Sequence, residues 1–157
     1  MTAHRLERSY DAAPDEIWRL WTTPEGIESW WAPDGFVVSV EELDLRPGGA
    51  LVYTMTATAP EQVDFMRKAG MPLSTVSRKR FTDVEPPRRL AYDSLVDFVP
   101  GVEPYESPTV VELAPSSRGT HVVMTVAPLH DEVWTERLLA GRANELDNLA
   151  TALARRA

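Results

Sequence analysis

The chain has 157 residues, which suits one domain spanning residues 1–157 that buries about 70% of the surface its unfolded form would expose. It contains no cysteine, which excludes disulfides, thiolate nucleophiles and Cys-ligated zinc or iron–sulfur centres and fits a reducing compartment. Sixteen basic residues against twenty-four acidic ones give a formal charge of −8, which disfavours a phosphate backbone as partner, so no nucleic-acid binding is expected.

No charged-then-apolar leader opens the sequence and no apolar run reaches about eighteen residues, so the expectation is a cytoplasmic protein with no membrane association. The densest basic run, Arg78-Lys79-Arg80, alternates across a predicted strand, and Arg88-Arg89 lies beside two prolines. Both read as solvated-face or strand-edge decoration, because the interleaved aromatic and basic stripe of a nucleic-acid binder is missing.

In chain order, His4 to Tyr10 alternates as a first strand and ends at the turn signal Asp11-Ala12-Ala13-Pro14. Pro14 with Asp15 and Glu16 starts a short amphipathic helix to Thr22, and Thr23-Pro24-Glu25 starts a second that carries Ile27, Trp30 and Trp31. The tryptophans crowded here read first as a seal on one end of the core. Phe36 to Leu45 is a strand with Val37, Ser39, Glu41, Leu43 and Leu45 on one side, joined through Pro47-Gly48-Gly49 to a strand over Ala50 to Thr58. Val63, Phe65, Met66 and Ala69 then fit either a short helix ended by Gly70 or a lid-like excursion.

Leu73 to Val84 and Arg89 to Val99 follow as strands, the second with Leu90, Tyr92, Ser94, Val96 and Phe98 on one face. Pro100 to Pro108 reads as a long loop, and Thr109 to Leu113 with Thr120 to Ala127 as a hairpin. The chain closes on a helix from Asp131 to Arg155, about 37 Å long, with Asp131 as its cap candidate. Val133, Trp134, Leu138, Leu139, Leu146, Leu149, Ala152 and Leu153 form its apolar stripe. Gly141 costs roughly 1 kcal/mol there relative to alanine, so it is either passively tolerated or permits close approach to the backbone. The fold class is α+β, with a curved antiparallel sheet of about six strands packed around this one long helix and two short helices after the first strand.

Specific residues join that order to a known group. Tyr10-Asp11-Ala12-Ala13-Pro14-Asp15-Glu16-Ile17-Trp18, Trp21-Thr22-Thr23-Pro24-Glu25, Trp30-Trp31-Ala32-Pro33 and Asp44-Leu45-Arg46-Pro47-Gly48-Gly49 resemble the bacterial START-like (SRPBCC) proteins related to the C-terminal domain of the Hsp90 ATPase activator, the AHSA1-like family. The resemblance covers nearly the whole chain and implies a helix-grip (START/Bet v 1-like) fold with space for a ligand between sheet and helix. Met55 to Arg80 departs from the commoner family form, so an added segment over residues 59–72 is expected to reshape the mouth of that space. Fold alone selects no activity and does not imply Hsp90 binding.

The search for chemistry starts from three histidines, His4, His121 and His130, which show no zinc or facial-triad spacing, so no metal is expected. Gly48-Gly49 lacks the remaining glycines and the strand-to-helix context of a nucleotide loop, no serine sits in a nucleophile elbow, and no cofactor is expected. The apolar candidates for a ligand cavity are Trp30, Trp31, Tyr53, Met55, Phe65, Met66, Met71, Phe98, Met124 and Trp134, since aromatics and methionines give large, adaptable surfaces. The polar candidates are Tyr53, Tyr92, Asp93, His121, Arg142 and Glu145, and a carboxylate or imidazole in such a cavity is a general acid or base in waiting. Against that, Arg142 and Glu145 fit a helix-rim ion pair.

The function expected is therefore binding of a hydrophobic or aromatic small molecule between sheet and C-terminal helix. The alternatives are a cyclase, hydratase or isomerase using buried polar residues, or a protein-interaction or chaperone-associated module with an exposed apolar patch. A homodimer through sheet edges or the middle excursion is compatible with either.

Overall fold

The computed structural model describes residues 3–155. The elements are β1 (His4–Tyr10), α1 (Pro14–Thr22), α2 (Pro24–Trp30), β2 (Phe36–Leu43), β3 (Ala50–Ala57), α3 (Pro60–Lys68), β4 (Ser74–Glu85), β5 (Arg89–Val96), β6 (Tyr105–Ser116), β7 (Gly119–Val126) and α4 (Glu132–Arg155). All seven strands, one at each of the seven strand stretches named along the sequence, form one antiparallel sheet in the order β1-β7-β6-β5-β4-β3-β2, one more than the count of about six. The first strand pairs with the last, and α4 closes over one face: this is the helix-grip arrangement.

Local chemistry sets the helix limits. Thr23 precedes Pro24 and is therefore extended, which ends α1; its Oγ1 then accepts from the Gly26 amide at 3.0 Å and caps α2. Asp131 caps α4 through Oδ1, which accepts from the Trp134 amide at 2.8 Å. The middle excursion resolves as the helix α3, ended by Gly70 at φ +69°.

Two strand expectations change. A bulge between Val40 and Glu42 offsets the pairing of β2 with β3, so Val38 and Val40 share the core side with Leu43 rather than opposing it. β6 begins at Tyr105, inside the segment expected to be loop. Its Pro108 lies just past the last β6–β7 pair, Thr109 with Val126, where a missing N–H breaks no ladder bond. β5 correspondingly stops at Val96 and leaves Phe98 exposed beyond it.

The core lies between sheet and α4. Leu146, Leu149 and Leu153 of α4 are buried in one cluster with Tyr10, Val111, Val122, Met124 and Val126, each large side chain contributing about 1.5–3 kcal/mol on burial. The Tyr10 hydroxyl donates to the Leu146 carbonyl at 2.7 Å and ties β1 to the helix. The end between α1 and α2 is closed by buried tryptophans: Trp21 meets Trp30 edge-on at 4.9 Å, Trp30 tilts against Trp31 at 5.1 Å, and Trp30 Nε1 donates to the Leu20 carbonyl at 2.7 Å. No helix among the described residues is long and apolar enough to cross a membrane.

Candidate functional site

Apolar packing along α4 stops one turn before Leu146. There the helix presents Leu138, Gly141, Arg142 and Glu145, spaced to share one face, above the inward side of β3, β4, β5 and β6. Between them is a cavity of about 230 Å³. Leu95, Val96, Leu129 and Leu138 give it apolar walls, and Tyr53, Ser77, Lys79, Ser94, Ser107, Arg142 and Glu145 give it a polar interior. Larger hollows exist, such as one of about 410 Å³ beside His4, Leu129 and Glu136. What distinguishes the smaller cavity is that the two buried charged side chains among the described residues, Lys79 and Arg142, both line it. Buried charges are costly and sit where they are paired or used.

Lys79 comes from β4, where strand alternation places Ser77, Lys79 and Phe81 inward and Arg78 and Arg80 outward. Its register partner on β5 is Ser94, to which Nζ donates at 2.8 Å. The rings of Tyr92, Trp31 and Tyr53 surround the amine at 5.3, 5.8 and 5.8 Å from Nζ to their centroids. Among the described residues no carboxylate lies within ion-pair distance of it. Burial, reinforced by the charge of Arg142 and opposed by that of Glu145, brings the Lys79 ammonium down to about 7.

Arg142 and Glu145 form an ion pair, but within the cavity rather than at the helix rim. Nη1 donates to both carboxylate oxygens at 3.0 Å, the side chains are only 8% and 13% exposed, and Nη2 reaches Thr109 Oγ1 at 3.4 Å. Burial works against the guanidinium charge, yet the Glu145 carboxylate and its hydrogen bonds hold the Arg142 pKa above the usual arginine value. Below Lys79, Trp31 Nε1 donates to the Tyr53 hydroxyl at 3.1 Å. Burial raises the Tyr53 and Tyr92 phenols above their usual range, keeping them neutral.

Of the residues singled out from the sequence, Tyr53, Phe98, Arg142 and Glu145 line the cavity, and Trp31 and Tyr92 lie against its lysine. The others lie elsewhere. Trp30 and Met124 are buried in the packed core, and Met55 packs against it half-buried. Trp134 stacks on the exposed Phe98 at 5.6 Å, with the Arg137 guanidinium 4.8 Å from its ring. Phe65 and Met71 are exposed, Met66 is buried, and no residue of 59–72 lines the cavity, so the added segment does not form its mouth. His121 points away from the core because β7 turns Thr120 and Val122 inward; its Nε2 meets Glu7 Oε1 at 2.9 Å and its Nδ1 meets Ser9 Oγ at 3.2 Å. Asp93 is likewise outward and pairs with Arg80 at 3.2 Å. Among the described residues no group of three or more His, Asp or Glu is placed to hold a metal ion.

The residue missed was Lys79. Reading Arg78-Lys79-Arg80 as solvated decoration holds for the exposed arginines and fails for the lysine. The period of two, which sets Lys79 on the side of Phe81, was the available signal.

A sheet wrapped around one long helix, with a cavity between them, defines a START-like helix-grip protein. The chain belongs to the family of Activator of Hsp90 ATPase homolog 1-like proteins, matched over residues 11–154. Among solved structures it is similar to protein CV1439 from Chromobacterium violaceum, at 27% identity over 95% of this chain and 94% of that one, with a TM-score of 0.75. The AHSA1-like protein from Aeromonas hydrophila (20% identity, 99% and 94% covered, TM-score 0.78) and the AHSA1 protein from Silicibacter pomeroyi (21%, 99% and 100%, TM-score 0.77) share the fold. No curated protein gives a significant match to the chain.

Proposed function

We propose that the protein binds a small hydrophobic or aromatic molecule, about the size of one substituted ring, in the cavity between sheet and α4. The observation that carries this is the cavity itself: apolar walls lead to an interior where Lys79 and Arg142 converge beside aromatic rings. Size narrows the class. An apolar cavity of about 150 Å³ admits benzene. A volume of about 230 Å³ therefore suits one ring with a few further atoms and is too small for a sterol or a lipid chain. The apolar body of the ligand would rest on Leu95, Val96, Leu129 and Leu138, and its polar group would face Lys79. The absence of cysteine supports placing this binder in the cytoplasm. Catalysis in the same cavity is the second reading, favoured by the buried amine.

The test is calorimetric titration and thermal denaturation with benzoate, benzyl alcohol and indole, on the wild type and on Leu138→Trp, whose larger side chain on the cavity lining takes up part of its volume. At least one probe is expected to bind with a sub-millimolar Kd and to bind about tenfold more weakly to the variant, a loss near 1.4 kcal/mol. If none of the three binds at millimolar concentration, the proposal fails.

A further inference from the structure

The chain contains fourteen arginines but only two lysines, Lys68 and Lys79. Lys68 ends α3 in solvent. Lys79 is 7% exposed, its amine held by Ser94 and enclosed by three aromatic rings, and it lines a cavity that a small molecule can enter. Nothing in the fold requires an amine at this position: the cation-binding partners of an ordinary buried lysine, a carboxylate or a set of carbonyls, are replaced here by one hydroxyl and ring faces.

We infer that Lys79 is a nucleophilic amine that forms an imine with the carbonyl group of a small aromatic aldehyde or ketone bound in this cavity. The inference rests on the binding proposal above and deepens it. Two buried cations, Lys79 and Arg142, and one carboxylate, Glu145, line a space of about 230 Å³ that Arg78 and Arg137 also border, and leaving Lys79 neutral relieves the excess positive charge. A neutral amine near pH 7 is the form that attacks a carbonyl.

The step balances without a further reactant. The Lys79 nitrogen lone pair forms a C–N bond to the carbonyl carbon while the C=O π pair moves to oxygen. One proton passes from nitrogen to that oxygen, giving a carbinolamine. The oxygen then takes up a second proton and leaves as water, the nitrogen lone pair closes the C=N bond, and loss of the remaining N–H proton gives the neutral imine. Aldehyde and amine thus become imine and water, with no change of oxidation state. Ser94, 2.8 Å from Nζ, orients the amine and lies where a hydroxyl can relay the proton. The transient protonated imine forms among the faces of Tyr92, Trp31 and Tyr53, which offset part of the cost of its charge before the proton is lost.

Lys68 serves as the control within the same molecule. The full chain is incubated with benzaldehyde and sodium cyanoborohydride near neutral pH, and the reductively trapped adduct is located by peptide mass mapping. Lys79 is expected to label at least about tenfold faster than Lys68, since lowering an amine's pKa raises its reactive fraction. Its labelling should fall as pH drops below about 7, where the amine becomes protonated. Benzoate, which has no aldehyde or ketone, should slow labelling at Lys79 and leave Lys68 unchanged. Lys79→Arg keeps a cation but no imine-forming amine and should lose the adduct while Lys68 labels as before; the comparison of the two lysines in the wild type does not depend on how that variant folds. Labelling at Lys68 alone, or at equal rates at both, overturns the inference. If benzyl alcohol or benzoate binds while Lys79 stays unlabelled, imine formation falls and the binding proposal stands. If nothing binds and nothing labels, both fall.

Discussion

Lys79 on β4 and Ser94 on β5 are directly opposed in register, and the 2.8 Å hydrogen bond between them is, among the described residues, the single direct polar contact of an otherwise buried amine. The charges that act on Lys79 come from α4: Arg142 disfavours its ammonium form and Glu145 favours it, while Arg78 and Arg137 line the same cavity and the Tyr53 and Tyr92 rings face the amine uncharged.

This environment makes stability depend on pH in a defined direction. The folded-state pKa of Lys79 is about 7, against an ordinary value of 10.5, so between these limits the unfolded chain holds a proton that the folded chain has released. Stability therefore rises with pH across that window, and below about pH 7 the full cost of burying the ammonium is present. At about 1.4 kcal/mol per unit, the cost is on the order of 3–5 kcal/mol. Lys79→Met removes the titration and keeps the shape, so it is expected to be more stable than wild type at neutral pH by roughly 2–4 kcal/mol. Urea denaturation of both proteins checks this, with the difference shrinking from about pH 7 to about pH 9; a difference that does not vary with pH contradicts it. The charged neighbours are common to both proteins and largely cancel.

Glu145→Gln removes the carboxylate bound to buried Arg142. An uncompensated buried charge costs about 3–5 kcal/mol, so this variant should be strongly destabilised, whereas Arg142→Met with Glu145→Leu should recover most of the loss. A double-mutant cycle read by chemical denaturation tests the pair. Equal stability of wild type and Glu145→Gln would show that the pair contributes nothing.

Gly141 was open to two explanations, and the structure favours the passive one. A Cβ built there meets no atom of another element within 4 Å, and the residue is exposed. Gly141→Ala is accordingly expected to stabilise by about 0.5–1 kcal/mol, raising Tm by about 1–4 °C. A lower melting temperature would mean that something approaches this backbone in solution.

Asp131→Ala removes the cap of α4 and should cost about 1 kcal/mol, while Asp131→Asn, which keeps an acceptor oxygen, should cost only a few tenths. Thermal melts of the two variants separate capping from the general effect of losing a charge.

Much of the architecture was legible because its signals are local. Pro14 and Thr23-Pro24 start α1 and α2, Asp131 caps α4, Pro47-Gly48-Gly49 turns β2 into β3, and each works through atoms a few residues apart. At Gly49 the reason is spatial as well: a Cβ would collide with the Asp44 carbonyl, so the turn accepts only glycine there without rearrangement. Where an element was misjudged, a neighbouring strand decided it. The β5–β6 ladder extends from Arg89–Glu112 to Val96–Tyr105 and draws Tyr105 to Pro108 into β6 despite the prolines around them.

The candidate site was less legible, because residue type shows what a side chain can do and not what surrounds it. Phe65 and Met71 look like cavity lining and stand in solvent, while Lys79 looks like surface between two arginines and is enclosed. The sequence by itself determined the order of elements, the caps and the turns, since those depend on periodicity and short-range hydrogen bonding, and its motifs around Trp30-Trp31 and Arg46-Pro47-Gly48-Gly49 carried the resemblance to the family. Only the tertiary structure decided which charges are buried. That depends on cross-strand register, which sets Lys79 against Ser94, and on the placement of α4, which brings Arg142 and Glu145 over four strands distant in the chain.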